Sequence, residues 1–176
     1  MGIDGSDTAL GAARWAAELA ARHSLGLTLL HAVPRLDWHF VGAEPSAELA
    51  GSAAADRVLA DAEAAARSAH PELAIRTEAV RGAVATVLTD ASNSARLLVL
   101  GTGADDRALG GHVVRMTHRA QCPVVVWRAP VAKRTGKPLP VVVGVDDSEA
   151  SGRAVAEAFD IARALHAPLT VAHMWE

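Results

Sequence analysis

The sequence predicts an α/β fold with one open, doubly wound parallel sheet and helices on both of its faces. Short unbroken apolar runs, such as residues 97–100 (Leu-Leu-Val-Leu), are typical of strands buried on both faces of a parallel sheet. These runs alternate with alanine-rich segments of helical periodicity, which is typical of strand-helix-strand units. With 176 residues and 51% hydrophobic composition, the chain is long enough for one well-buried domain.

The first half of the chain gives three helices and two complete strands. Residues 1–6 are typical of a strand end and its turn, so we expect the first strand to be largely missing. Asp7 or Thr8 is a suitable N-cap for an alanine-rich helix. A proline ends the strand that follows, and another proline ends the long second helix. After that helix, the alternation of residues along the chain predicts an edge strand. The predicted helices are residues 8–24, 48–69 and 82–93, and the predicted strands are 27–33 and 73–80.

The second half continues the alternation on both sides of a linker. A strand over residues 97–100 leads through a glycine-rich loop into a helix over 112–120 and a strand over 124–127. Residues 129–139 hold two prolines and three basic residues without apolar periodicity, which is typical of a linker. We predict a strand over 140–145, a helix over 149–165 and a strand over 169–175 in the remainder.

The end of the chain repeats its beginning. Residues 2–33 (copy 1) align without a gap on residues 144–175 (copy 2), at an offset of 142. We therefore predict a domain over 1–128 that lacks most of its first strand, a linker over 129–139, and over 140–176 the strand-helix-strand opening of a second domain. Because the first domain lacks its central strand, we expect residues 141–145 to fill that position, from the same chain or by exchange in a swapped dimer. The identical residues of copy 1 are Gly2, Asp4, Ser6, Ala12, Ala16, Ala20, Leu27, Thr28 and His31.

Composition excludes several classes of protein. The net charge of −3 and the pI near 6.2 leave no basic surface for nucleic acid. No apolar run approaches the ~20 residues of a membrane helix, and no secretion signal is present, so we expect a cytoplasmic protein. The single cysteine, Cys122, excludes an internal disulfide and a cysteine-based zinc site.

A glycine-rich loop follows the strand over residues 97–100. Gly101 and Gly103 allow a sharp turn, and Gly110 and Gly111 precede the next helix. Backbone N–H groups at a helix N-terminus favour anions, so this loop predicts a phosphate ligand.

The end of this stretch, Gln121-Cys122-Pro123 followed by three valines, resembles the universal stress protein family, whose ATP-binding members carry G-x2-G-x9-G-[ST] before it. The chain resembles the tandem-domain type. The resemblance implies a flavodoxin-like or Rossmann-like sheet of strand order 3-2-1-4-5, a stress-response role, and ATP or another adenine nucleotide as ligand. It implies that the ligand contacts Gly2, Ile3, Asp4, Ala32, Gly101, Thr102, Gly103, Gly110, Gly111, His112, Val113 and Asp146.

The glycine loop departs from the family pattern. With Gly110 as the last glycine of the pattern, the loop from Gly101 is four residues shorter, and Gly111 replaces a serine or threonine. Asp105 and Asp106 would repel a triphosphate unless a divalent cation such as Mg²⁺ lies between them. We therefore predict weak nucleotide binding.

Two readings of the acidic residues remain open. Asp4 and Asp146 follow equivalent strands in the same G-[IV]-D-x-S frame, where the carboxylate either accepts from ribose hydroxyls or supports the cap of the next helix.

We expect structural roles for His31 and His173, and a buried, unreactive thiol for Cys122. No catalytic or metal-binding motif is present, so the sequence supports no enzyme activity beyond weak ATP hydrolysis.

An exposed strand predicts self-association. Family members commonly pair through the fifth strand, which here is Val124, Val125, Val126 and Trp127. An unpaired apolar edge strand favours association, so we expect a homodimer. A nucleotide-free dimerisation or interaction module is the alternative function.

Overall fold

The computed structural model describes residues 1–34, 45–102, 111–129, 139–146 and 148–173. The chain divides into unit 1, residues 1–131, and unit 2, residues 132–176. In unit 1 the described helices are α1 (Asp7–Arg22), α2 (Pro45–Ala69), α3 (Val84–Ser92) and α4 (Gly111–Arg119). The strands of unit 1 are β1 (Leu27–Val33), β2 (Ile75–Arg81), β3 (Leu98–Thr102) and β4 (Val124–Arg128), and unit 2 contains β5 (Val141–Val145), α5 (Glu149–Leu165) and β6 (Leu169–His173).

All strand pairs in the described residues are parallel, as the sequence predicts. β1 pairs with β2 from Leu27 opposite Ile75 onward, and β3 pairs with β4 from Leu98 opposite Val124 onward. β5 pairs with β6 in a sheet of its own. The molecule is therefore an α/β protein built on parallel strands.

The first three residues occupy the position between β1 and β3. Gly2 N donates to Val99 O of β3 at 3.1 Å, and Ile3 N donates to Leu30 O of β1 at 2.9 Å. Leu30 N donates in turn to Met1 O at 2.9 Å. The structure therefore places residues 1–3 in this position, and the expectation that residues 141–145 of the same chain fill it is wrong.

Two apolar cores lie on opposite faces of the unit 1 strands. One joins α1 and α2 to residues such as Ile3, Leu29 and Val99. The other joins α3 and α4 to Leu30, Leu98 and Leu100 among others. Since side chains alternate along a strand, each strand contributes to both cores, which is the arrangement of a sheet covered on both faces.

Helix α1 packs closely because its buried face is made of small residues. Ala12, Ala13 and Ala17 are fully buried against α2 and the strands. A Cβ atom at Gly11 would lie 2.5 Å from Cη2 of Trp127, so any larger residue at this position would force the ring to shift. The N-cap is Ser6, whose Oγ accepts from Ala9 N at 3.1 Å; the predicted caps Asp7 and Thr8 are one or two residues late.

Unit 2 reproduces the register of unit 1 at the offset of the repeat. Gly144 lies opposite Ala172 in the β5–β6 pair, and Gly2 forms a parallel bridge with Leu30, exactly 142 residues earlier. The other predicted elements agree with the structure to within a few residues. Helix α2 begins at Pro45 instead of residue 48, and β2 ends at Arg81 instead of residue 80.

Candidate functional site

Four of the predicted ligand residues lie where parallel strands end. Asp4 follows the segment bonded to both β1 and β3, Ala32 lies near the end of β1, and Gly101 and Thr102 end β3. The carboxyl ends of parallel strands meet at one edge of a sheet, which is where open α/β sheets bind ligands. The structure therefore brings these four residues to one edge of unit 1.

Gly101 lies against the first turn of α1. A Cβ atom at this position would be 3.1 Å from Thr8 O and 3.2 Å from Ala9 N. These distances are to backbone atoms, which cannot move aside as a flexible side chain does. The glycine therefore allows the end of β3 to approach the N-terminus of α1, a role that the sequence prediction of a phosphate loop did not include.

Asp4 supports the cap of α1. Its Oδ1 accepts from Ser6 N at 2.9 Å and from Ser6 Oγ at 2.7 Å, and Ser6 Oγ caps Ala9 N. These bonds hold the serine in its capping orientation. They use Oδ1 alone, and Asp4 is exposed, so the carboxylate combines the capping role with an oxygen directed to solvent.

The hydroxyl of Thr102 is buried without a partner. The residue is 5% exposed, and its Oγ1 has no hydrogen-bond partner in the part of the chain that the structure describes. Thr102 shares a strand face with Leu98 and Leu100, which pack with Val113 and Met116 of α4. An unsatisfied buried hydroxyl costs about 1–3 kcal/mol, and a ligand oxygen at this end of β3 would remove that cost.

The N-terminus of α4 follows the glycine loop. Gly111 is the first residue of the helix, and His112 follows in its first turn. The side chain of Val113 is buried in the core with Met116, so only its backbone could contact a ligand. Gly103 and Gly110, with Asp105 and Asp106, lie outside the described residues.

His31 links β1 to the end of the first segment. Its Nδ1 lies 2.8 Å from Ile3 O, and because a carbonyl oxygen only accepts, Nδ1 carries the proton. The bond holds residue 3 beside β1. This agrees with the structural role predicted for His31.

Asp146 of unit 2 is more completely bonded than Asp4. Its Oδ1 accepts from Ser148 N at 3.0 Å, from Ser148 Oγ at 2.5 Å and from Ser151 Oγ at 2.6 Å. The two serine hydroxyls, and then the Ser148 amide, stabilise the charged form and lower the pKa of Asp146 to about 2. The Ser148 hydroxyl makes no capping bond to α5, so Asp146 holds Ser148 and Ser151 together at the start of the helix without completing the predicted cap.

The α-amino group of Met1 is a buried charge that sequence analysis missed. It donates to Thr28 O at 2.7 Å. Burial lowers its pKa from 8.0 to about 6. The electrostatic interaction with Cys122 raises the pKa and offsets this lowering only in part. Cys122 is half-buried and not fully buried as predicted, and this burial raises the pKa of its thiol, which lowers its reactivity.

Two features absent from the described residues bear on function. In these segments, no helix is both long enough and apolar enough to cross a membrane. Nor does the described part of the chain contain a group of three histidine, cysteine or acidic residues arranged to hold a metal ion.

Solved structures with the same fold include universal stress proteins. One from Burkholderia pseudomallei is 32% identical with a TM-score of 0.58, and the match covers 73% of this chain and 92% of that one. One from Archaeoglobus fulgidus has a TM-score of 0.77 at 16% identity, covering 99% of this chain and 66% of that one. A third, crystallised in complex with cAMP, has a TM-score of 0.54 at 24% identity, over 73% of this chain and 93% of that one.

Proteins similar in sequence to this chain are also universal stress proteins. A universal stress protein of Mycobacterium tuberculosis is 36% identical over 99% of this chain, and one of Mycolicibacterium smegmatis is 33% identical over the same share. The chain spans 62% and 63% of the length of these two relatives. The model of the universal stress protein family matches residues 1–128 and 139–176. The chain therefore belongs to the universal stress protein family.

Proposed function

We propose that this chain is a cytoplasmic stress-response module that binds ATP or another adenine nucleotide weakly at the strand edge of unit 1. The observation that carries the proposal is the buried hydroxyl of Thr102, which has no hydrogen-bond partner among the described residues. Buried hydroxyls are almost always hydrogen-bonded in folded proteins. A ligand oxygen at the end of β3 would give this hydroxyl its partner.

The surrounding groups suit the parts of a nucleotide. Phosphate lies at the N-terminus of α4, where the first N–H groups have no partner within the helix and the helix dipole favours an anion. The ribose lies near Asp4, whose carboxylate accepts from its hydroxyls. The adenine ring lies beside the backbone at Ala32, as the family resemblance implies. Gly2, Ile3, Gly103, Gly110, Gly111, His112 and Val113 complete the proposed contacts, with Asp146 as the equivalent residue of unit 2.

Weak affinity follows from the loop before α4. It is four residues shorter than the family pattern, so fewer N–H groups converge on the phosphates. Asp105 and Asp106 add negative charge, which Mg²⁺ would offset. We therefore expect the affinity for ATP to rise with Mg²⁺.

The proposal includes assembly. We place the strands in the order 3-2-1-4-5, counting residues 1–3 as the first strand, because those residues are bonded to β1 on one side and β3 on the other. The homodimer forms through β4, which pairs only with β3 among the described strands and whose valines are half-buried. Exchange of the C-terminal segment between two chains is a second mode of pairing. If the chain binds no nucleotide, dimerisation through β4 is the function that remains.

The test is calorimetric titration of ATP, ADP, AMP and cAMP into the full chain and into Thr102→Val, with and without Mg²⁺. Valine has the shape of threonine without the hydroxyl. We expect the variant to bind the preferred nucleotide about fivefold to tenfold more weakly, the loss of one hydrogen bond of about 1 kcal/mol or slightly more. We also expect the nucleotide-free variant to be about 1 kcal/mol more stable, because an unsatisfied buried hydroxyl is removed.

Thr77→Val is the matched control, because Thr77 is exposed on β2 and makes no contact in the proposed site. Its affinity should equal that of the parent chain. Equal affinity in Thr102→Val and the parent would show that the hydroxyl does not contact the nucleotide. Absence of binding by all four nucleotides to the parent chain would favour the dimerisation module.

A further inference from the structure

Unit 2 exposes large apolar side chains. In the described part of the chain, those that are more than half exposed all lie in this unit, and they are Leu139, Val142, Phe159 and Val171. Among the described residues of unit 1, the exposed large apolar side chains are Leu25 and Val114, which are less than half exposed. Exposed apolar surface is typical of a site that binds a partner. Phe159 is the largest of these side chains, so the surface of α5 around it is the part of unit 2 best suited to an interface.

One side of α5 faces solvent along the whole helix. The buried residues of the helix, Ala158 and Ala162, lie on its opposite side. Residues three or four positions apart share one face of a helix, so the solvent side, which we call the outer face, is a continuous surface. The residues of the outer face are Glu149, Gly152, Arg153, Ala156, Phe159, Asp160 and Arg163. All of them are exposed except Asp160, which is half-buried.

The outer face differs in shape from the equivalent face of copy 1. Ala17 is fully buried where copy 2 has the exposed Phe159, and Leu10 packs against the core where copy 2 has Gly152. No atom lies within 4 Å of the position that a Cβ at Gly152 would take. Copy 2 is therefore large where copy 1 is small, and small where copy 1 is large. A helix that covers copy 1 as α2 does could not cover α5 in the same way.

The charges of the outer face alternate in sign around Ala156. Glu149 and Arg153 lie seven and three residues before Ala156, and Asp160 and Arg163 lie four and seven residues after it. A second α5 that runs antiparallel therefore places Arg163 opposite Glu149, and Asp160 opposite Arg153. A parallel helix would place like charges side by side. Nη2 of Arg163 lies 3.5 Å from Oδ1 of Asp160 in the same helix, which occupies one of the five N–H donors of the guanidinium.

We propose that the outer face of α5 is an interface with a second copy of this chain, in which the two α5 helices pack antiparallel about a two-fold axis at Ala156. Each Phe159 ring fills the open space beside Gly152 of the second copy, and Arg153 of the second copy contacts the face of the ring. Glu149 and Arg163 form an ion pair at each end. The same surface contacts itself, so the interface is closed and contains two copies. It uses no residue of β4 or of the proposed nucleotide site, and it does not depend on either.

Ala156→Cys in the full chain tests the position of the axis. Helices whose axes lie about 8–10 Å apart bring the two Cα atoms at the axis to about 4–6 Å, which is the range of a disulfide. Under mild oxidation we expect a disulfide between two chains, measured on a non-reducing gel. Ala150→Cys is the matched control, because Ala150 is an exposed alanine of α5 whose counterpart in the second copy lies about 18 Å away along the helix. The parent chain accounts for any disulfide through Cys122.

We expect Ala156→Cys to form the disulfide about tenfold faster than Ala150→Cys, because only the first pair of thiols lies within bonding range. Adding Phe159→Ala to Ala156→Cys should slow the reaction about tenfold, since aromatic side chains at the centre of an interface contribute most of its affinity. Phe159 is exposed, so this change should leave unit 2 folded. Equal rates for the two cysteine variants, or no slowing by Phe159→Ala, would overturn the proposal and leave this face to a different protein.

Charge reversal tests the antiparallel register. In the Ala156→Cys chain, Glu149→Arg or Arg163→Glu alone places like charges opposite each other at both ends, and each should slow the reaction about fivefold to tenfold. An equimolar mixture of the two variants restores unlike charges at both ends. The mixture should therefore react at nearly the original rate, and its disulfide should join one chain of each kind. A mixture as slow as its components would show that weaker helices and not the interface cause the loss, which also overturns the proposal.

Discussion

Copy 1 and copy 2 have similar local structures in different surroundings, although Ser6 caps its helix and Ser148 makes no side-chain cap bond. Each has a strand segment, an aspartate that accepts from a serine two residues later, and a helix followed by a parallel strand. Ser24 and His166, at equivalent positions after the helices, both have positive φ, at 54° and 51°. Leu25 N and Ala167 N donate to equivalent alanines, each at 2.9 Å. The local sequence is therefore sufficient to specify this strand-helix-strand unit.

Burial is where the copies differ. Leu29 is 0% exposed, and its equivalent Val171 is 53% exposed. Ala17 is also 0% exposed, and its equivalent Phe159 is 60% exposed. In unit 1 these positions are covered by α2, whose Leu59, Ala62 and Ala66 belong to the same core. The repeat therefore specifies local structure, and elements outside the repeat supply most of the surface that buries copy 1.

Replacing Gly11 with the residue of copy 2 should have the largest effect on stability. The equivalent residue is Arg153, and any Cβ at position 11 meets the Trp127 ring at 2.5 Å. We expect Gly11→Arg to destabilise unit 1 by about 3 kcal/mol or more, since overpacking alone costs about 1–3 kcal/mol. Thermal unfolding, followed by tryptophan fluorescence, measures this loss.

Gly51→Arg makes the same exchange at a helical glycine with no neighbour within 4 Å. It should stabilise α2 slightly, by up to about 1 kcal/mol, because arginine has the higher helix propensity. Equal effects of the two variants would show that the ring does not require glycine.

The buried α-amino group should make stability depend on pH. Its pKa is about 6 in the folded chain and 8.0 in the reference state, so the unfolded chain binds more protons between these values. Stability should therefore rise from pH 6 to pH 8, and the penalty of about 2–3 kcal/mol should be complete below pH 6 and absent above pH 8. Chemical denaturation across this range measures it.

Copy 2 supplies the control, because Val141 and Val142 precede Val143, the equivalent of Met1. Extending the chain by two valines before Met1 moves the charge away from Thr28 and continues the strand. The dependence between pH 6 and pH 8 should then become smaller. If the extended chain keeps the full dependence, the amino group is not responsible for it.

The sequence predicted most of the elements because their signals are local. Apolar runs and alanine-rich periodicity identified β1 and α5 at their observed ends, 27–33 and 149–165. The occupant of the central position was predicted wrongly because six residues were judged too few to form a strand. In the structure, the backbone of residues 1–3 is sufficient to bond to both neighbours.

The site was less accessible to sequence analysis than the fold. The resemblance to the family identified Thr102 as a ligand residue, but no sequence pattern reports whether a buried hydroxyl has a partner. The close approach of Gly101 to α1 joins residues far apart in the chain, and the pattern of glycines gave only its position.

The smallest expected effect compares the two residues with positive φ. Ser24 and His166 adopt the left-handed conformation that glycine adopts without steric cost, at φ of 54° and 51°. Ser24→Gly and His166→Gly should each stabilise the end of the preceding helix by up to about 1 kcal/mol. Amide hydrogen exchange in the last turns of α1 and α5 measures the two effects separately. Separate measurement is needed because two compact units need not unfold together.

Asn93→Gly is the control, since Asn93 follows α3 with φ of −65° and a glycine there should lower stability. Equal stabilisation at Ser24 and His166 would support a repeat whose helix ends are set by local sequence. A gain at Ser24 alone would show that the end of α5 depends on surroundings that copy 1 has and copy 2 lacks.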